Sequence, residues 1–149
     1  MQRSMLAGLS RATVIDTACE LFAERGYRGT SMKDLAEALG VRASSLYNHV
    51  ASKQDMLFAI MDKAMDRALD AQQDALAGVD DASGQLRAAT ESLVLDFLRN
   101  PAEVTVCNTE VRSLDLANRD AIVAKRDRYA DRVRAIIASG CQAGRFQTE

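Results

Sequence analysis

Residues 30–53, reading TSMKDLAEALGVRASSLYNHVASK, decide the fold. They describe a short helix, a glycine turn and a second short helix. Ser31-Met32-Lys33-Asp34 has the pattern of a capping box, and Met32, Leu35, Ala36 and Leu39 then recur at helical spacing. Gly40 suits the left-handed stop that such a helix needs. At about 100° per residue, Leu46 and Val50 of the second helix stack one turn apart and define an inward direction, and Val41 extends that seam from the turn. Ser44 and Asn48 then point outward, Ser45 lies toward the same side, and Tyr47 and His49 fall on the flanks. A helix with small, polar outward side chains can approach a duplex closely and hydrogen-bond to it. Residues 31–50 are therefore expected to form a helix-turn-helix that enters a DNA groove.

Elsewhere the chain is also helical in pattern. A first helix is expected over residues 10–25, capped by Ser10, with Val14, Ile15, Ala18, Leu21 and Phe22 as its apolar stripe. A second capping box, Ser52-Lys53-Gln54-Asp55, opens a fourth helix over 52–77 whose seam is Met56, Leu57, Ile60, Met61, Ala64, Ala68 and Leu69. Residues 78–84 are rich in turn formers. Beyond them Leu86, Leu93, Val94, Phe97 and Leu98 mark a fifth helix that stops at Asn100-Pro101. Pro101 suits the first turn of a sixth helix, which carries Val104, Val106, Cys107 and Val111. A seventh spans 118–143, with Ile122, Tyr129, Val133, Ile136, Ile137 and Cys141 inward and Gly144 as a cap. No stretch alternates as a strand does, so the fold class is all-α.

The net charge is −2, which by itself argues against bulk attraction to nucleic acid. Its distribution is more informative. Residues 1–53 hold seven Lys or Arg against five acids, whereas residues 54–149 hold twelve against sixteen. The front is thus weakly basic and the remainder acidic, so specificity must come from geometry. Three widely spaced cysteines, Cys19, Cys107 and Cys141, match no zinc pattern and suggest reduced thiols in the cytoplasm. The first nine residues hold too short an apolar run for a signal peptide or a spanning helix. They are expected to be a mobile tail from which Arg3 could reach a minor groove, the alternative being plain disorder.

From about Arg11 to Met65 the sequence resembles the DNA-binding domain of the TetR family of bacterial transcription regulators. Ala18, Leu21-Phe22, Gly26-Tyr27, Thr30-Ser31, Asp34-Leu35-Ala36, Gly40-Val41, Ser45-Leu46-Tyr47-Asn48-His49 and Ser52-Lys53 carry the likeness. A bare helix-turn-helix is weak evidence, but three helices with this order of caps, glycines and aromatics are specific. The resemblance implies a three-helix DNA-binding head at residues 8–68 and a partial helical ligand-binding and dimerisation body at 69–149, joined by the long fourth helix. It implies a ligand-responsive regulator, a repressor binding a palindromic operator as a homodimer, with double-stranded DNA and a small-molecule effector as partners. No cofactor, metal or membrane is expected. In the family two further long helices usually follow and pair in the dimer. The sequence reaches Glu149 where they would begin, so it is read either as a fragment or as a chain that dimerises differently. The alternative function is a truncated helical interaction protein that pairs with other regulators without binding DNA alone.

The candidate DNA-contacting residues are Thr30, Ser31, Lys33, Arg42, Ala43, Ser44, Ser45, Tyr47, Asn48, His49 and Lys53. Lys33, Arg42 and Lys53 are read as phosphate contacts or as plain solvated charges, and Tyr47 as a phosphate donor or as packing alone. Asn48 has the side chain best suited to choosing a base, as an adenine reader. His49 is the single histidine and is read as a phosphate contact or a partly packed ring. It has no neighbouring nucleophile or ligand cluster, so no catalytic residue is expected. Phe97, Leu98, Val104, Cys107, Arg112, Arg126 and Tyr129 are the candidate effector-pocket residues, with Met65 and Leu114 nearby in pattern; ordinary core is the competing reading. The stretch from Glu110 to Leu114, with Arg119, Arg126 and Tyr129, is similar to regulators of lipid or acyl-thioester metabolism. That likeness implies such an effector, although Arg112 and Arg126 have acids nearby for surface ion pairs.

Overall fold

The computed structural model describes residues 9–147, so the expectations for the N-terminal tail and Arg3 lie outside the described residues. Among the described residues there are seven α-helices: α1 (Arg11–Arg25), α2 (Met32–Leu39), α3 (Ala43–Leu46), α4 (Lys53–Leu76), α5 (Ala82–Arg99), α6 (Pro101–Thr109) and α7 (Leu116–Gln142). A 3-10 turn, Val111–Ser113, joins α6 to α7. Among the described residues there is no strand.

Local chemistry sets most of these boundaries. Ser10 caps α1 through its side chain, which accepts from the Thr13 amide. At the head of α2, Ser31 Oγ accepts from the Asp34 amide while the Asp34 carboxylate takes the Ser31 amide at 2.6 Å, a complete capping box. That pairing holds the Asp34 carboxyl below its usual range, with the Ser31 hydroxyl as the first cause and the Ser31 amide as the second. Gly40 ends α2 at φ +66°, where a side chain would be strained. Pro101 opens α6, where the missing N–H costs no intrahelical bond.

Several boundaries differ from expectation, among them the end of α6, which stops at Thr109 and leaves Val111 in the 3-10 turn. α5 begins at Ala82 because the Asp81 side chain caps it through the Gly84 amide, so the end of the turn-rich stretch is helical. α7 begins at Leu116 because Asp115 caps it through the Asn118 amide. α3 is only four residues long; after Leu46 the hydrogen bonds tighten into turns.

A single apolar core joins α1 to α4 with α6 and part of α7. Val14, Ala18, Phe22, Leu35, Leu46, Val50, Met56, Leu57, Ile60, Met61, Val106 and Ile122 are buried in it. α1 and α4 contribute most to this core, and α4 then continues past it between α5 and α7. On α7 the inward stripe is Ile122, Ile136 and Gly140. Ile137 is exposed, contrary to expectation, because one residue of rotation beyond Ile136 carries it off the stripe.

Candidate nucleic-acid interface

The recognition element is held by its apolar residues. Leu46 and Val50 are buried against α1, α2 and α4, which leaves Ala43, Ser44 and Asn48 exposed and Ser45 half-buried. Tyr47 is 56% exposed, so its ring is not committed to the core. His49 is half-buried, and its backbone carbonyl accepts from Arg11 at 3.0 Å. Around this surface lie Ser31 at the head of α2, Lys33, and Arg42 immediately before α3. Lys33 is exposed and sits 3.7 Å from Glu37, one turn along the same helix.

Two of the expected contact residues also make contacts within the head, one of them to the exclusion of solvent. Thr30 is buried: its hydroxyl donates to the carbonyls of Gly26, at 3.0 Å, and Leu21, at 3.3 Å. It ties the end of α1 to the start of α2 and offers nothing to a duplex, which corrects the expectation of a contact there. Lys53 is half-buried, with its ammonium 4.0 Å from the Tyr27 ring centre and 5.9 Å from that of Phe22. Desolvation lowers its pKa, and the Glu110 charge works against that shift. The aromatic faces hold the ammonium by cation–π attraction at the N-terminus of α4.

Residues that sequence reading overlooked connect this head to the rest of the chain. Gln54 donates to the Tyr27 hydroxyl at 2.7 Å and to the Ser113 carbonyl at 2.7 Å, and it accepts from the Asp115 amide at 2.9 Å. Glu110 accepts from the Tyr27 amide at 3.0 Å and from the Ser113 hydroxyl at 2.7 Å. These groups form a polar joint between the end of α1, the start of α4 and the α6–α7 connection. Gly26, at φ +77°, lies against the joint, and a Cβ there would come within 3.3 Å of the Glu110 carboxylate.

A cavity of about 190 Å³ lies further along α4, among α4, α5, α6 and α7. Phe97, Val104, Cys107, Arg126 and Tyr129 line it, as do Met65 and Asn108. Leu98, 73% exposed, and Arg112, exposed on the 3-10 turn, lie outside this lining, and Leu114 is buried in the core; these correct the expected pocket. Arg126 donates to the Cys107 carbonyl. It therefore caps α6 from α7 and pairs with neither Asp127 nor Asp131. Burial pushes the Cys107 thiol up to about 11, so it behaves as a small apolar group. On the α5 side Asp96 accepts from Arg67 at 2.9 Å and from Asn100 at 2.9 Å, and Glu103 also accepts from Arg67.

A helix-turn-helix head carried on a long helix that also walls a cavity is the architecture of a one-component DNA-binding regulator. The profile described as "Bacterial regulatory proteins, tetR family" matches residues 14–60, and that described as "Tetracyclin repressor-like, C-terminal domain" matches residues 79–149. The TetR-family regulator PfmR from Thermus thermophilus is 33% identical, with a TM-score of 0.81, over 91% of this chain and 74% of PfmR. AibR, solved in complex with isovaleryl coenzyme A and operator DNA, is 28% identical with a TM-score of 0.85, over 93% of this chain and 76% of AibR. The transcriptional repressor KstR2 of Rhodococcus jostii (strain RHA1) is 26% identical over 93% of this chain and 69% of its own length. The chain belongs to the TetR family of bacterial regulatory proteins. It is a DNA-binding transcription regulator, a class that acts by binding and not by catalysis.

Proposed function

We propose that this regulator is a repressor that binds a palindromic operator as a homodimer and releases it when an effector with a short acyl chain enters the cavity. Ser31, Lys33, Arg42, Ala43, Ser44, Ser45, Tyr47, Asn48, His49 and Lys53 are assigned to the duplex. Ser44 and Asn48 face the base edges, while Lys33, Arg42 and His49 meet phosphates. What supports this assignment is the burial of Leu46 and Val50, which leaves the Ser44 and Asn48 side chains turned to solvent.

Residues 8–68 serve as the head and 69–149 as the body. The division falls within α4, so the two units share a helix. Ala64, Met65 and Ala68 of α4 line the cavity, and Lys53, Gln54 and Asp55 of the same helix anchor the head. Filling the cavity displaces α4, and with it the spacing of two heads on successive major grooves. The lining is mostly apolar, with Arg126 and Asn108 as polar groups. A volume near 190 Å³ is below the roughly 300–1,000 Å³ of drug-sized ligand sites. It suits the acyl end of a thioester better than a whole lipid. Among the described residues no helix is long and apolar enough to cross a membrane, and we assign the protein to the cytoplasm.

The test is a titration of the labelled duplex upstream of the protein's own gene, at two salt concentrations, with and without short-chain acyl-coenzyme A. Specific binding with a log–log salt slope of about 0.9 per phosphate neutralised, weakened by the thioester, is the expected result. Equal affinity for the upstream and an unrelated duplex would discard the operator reading. Insensitivity to every acyl length would discard the effector.

A further inference from the structure

The recognition element is too short to hold its own conformation. α3 has four residues, and an isolated helix of that length has no stability in water. Past Leu46 the backbone runs on in tight turns, with the Asn48 amide on the Ser45 carbonyl at 3.3 Å and the His49 amide on the Leu46 carbonyl at 2.9 Å. The direction of the Tyr47, Asn48 and His49 side chains therefore depends on what grips the end of this turn.

Beside the buried Val50, the polar group that grips the end of this turn is Arg11, at the start of α1. Its guanidinium pairs with the Asp55 carboxylate through two parallel hydrogen bonds of 2.8 and 2.9 Å, and it also donates to the His49 carbonyl at 3.0 Å. Asp55 in turn accepts from the Ala51 amide at 3.0 Å, and its own amide donates to the Ser52 hydroxyl at 3.0 Å. One guanidinium and one carboxylate thus fasten together the first residue of α1, the end of the recognition turn and the first turn of α4. Exposed ion pairs contribute little as a rule, but a bidentate Arg–carboxylate pair with further backbone bonds is the favourable exception. The Arg11 side chain is 48% exposed, yet its charge is already met by Asp55.

We propose that Arg11 is a positioning residue for DNA recognition: through Asp55 and the His49 carbonyl it sets the angle of the Tyr47–Asn48–His49 turn against the duplex, and it does not itself hold a phosphate. This rests on the operator reading given above and names a determinant of its specificity.

The experiment compares Arg11→Met, Arg11→Lys and Asp55→Asn with the unaltered chain, by fluorescence anisotropy on the upstream duplex and on an unrelated duplex of equal length, at two salt concentrations. Arg11→Met and Asp55→Asn should each weaken binding to the upstream duplex about tenfold, the scale of one charge-assisted hydrogen bond. The unrelated duplex should change by less than about twofold, and the salt slope should stay constant because no phosphate contact is lost. Arg11→Lys should recover less than half of the loss, since an ammonium cannot reproduce the fork.

The sign of the Asp55→Asn effect is decisive. Removing an acid near DNA tightens binding if only bulk charge matters, so a tighter or unchanged upstream complex overturns the proposal. A fall of about 0.9 in the salt slope for Arg11→Met, the value for one lost phosphate, overturns it too. If the unaltered chain does not discriminate between the duplexes, the operator reading has failed on its own. Amide hydrogen exchange without DNA still decides the clamp: protection at Val50 and Ala51 should fall in Arg11→Met while α7 is unaffected, and unchanged protection there refutes it.

Discussion

In the head, α1, α2, α3 and the turn after it bury Val14, Phe22, Leu35, Leu46 and Val50 to 2% exposure or less, and α1, α2 and α4 all begin on a side-chain cap. In the body, α5 leaves Leu93, Val94, Leu95, Phe97 and Leu98 between 40% and 73% exposed, and α7 leaves Leu116, Val123 and Ile137 open as well. The two regions have similar helical content but differ in how their apolar faces are satisfied. The head packs into a core that it shares with α6 and the start of α7, and that core fixes its reading surface. The body carries apolar surface that a further partner can cover.

The difference is broken most directly by emptying the head. Leu46→Ala removes a fully buried side chain from the shortest of the α-helices. It should cost about 2–5 kcal/mol, the range for large-to-small substitutions in a core. Urea unfolding followed by circular dichroism measures it. A loss below about 1 kcal/mol, the small end for core truncations, would mean that Leu46 does not hold the reading element to the core as described.

What could be read from the sequence follows the same line. The Ser31–Asp34 box, Gly40 and the Leu46/Val50 phase involve residues at most ten apart, and local propensity and periodicity carry them. Thr30 misled because a hydroxyl beside a helix cap resembles a surface group; only the fold brings the Leu21 and Gly26 carbonyls to it. Leu98 and Arg112 misled because an amphipathic pattern gives a helix's faces but not which neighbour each face meets. Phe97, Val104, Cys107, Arg126 and Tyr129 do line one cavity, although they come from three helices. Arg11 and Gln54 carried no signal: their partners at Asp55, Ser113 and Asp115 are distant in sequence, and each alone looks like an ordinary exposed polar residue.

Gln54 sharpens the comparison, because it is where the two regions meet. Gln54→Ala removes three hydrogen bonds across the joint, from Tyr27, Ser113 and Asp115. Water replaces part of them at this half-buried site, so the expected cost is about 1–2 kcal/mol. The more telling readout is cooperativity. Unfolding of the native chain should be one transition, whereas in the variant hydrogen exchange in α2 and in α7 should report different opening free energies. Equal opening energies would show that the joint is not what couples head to body.

The smallest effect tests the body's open face. Leu98 is 73% exposed at the end of α5, so Leu98→Ser should change the stability of the isolated monomer by no more than about 0.5 kcal/mol. At low protein concentration, thermal unfolding should therefore be indistinguishable from that of the native chain. At high concentration the two should diverge if a second copy covers this face, because association with the folded state alone raises the midpoint with concentration. A shift that appears only on concentrating the native chain would identify the α5 surface as part of the dimer contact. The same shift in both proteins would assign the contact elsewhere. A loss above about 1.5 kcal/mol at every concentration would contradict the open face itself, since a cost of that size requires burial of the leucine within the single chain.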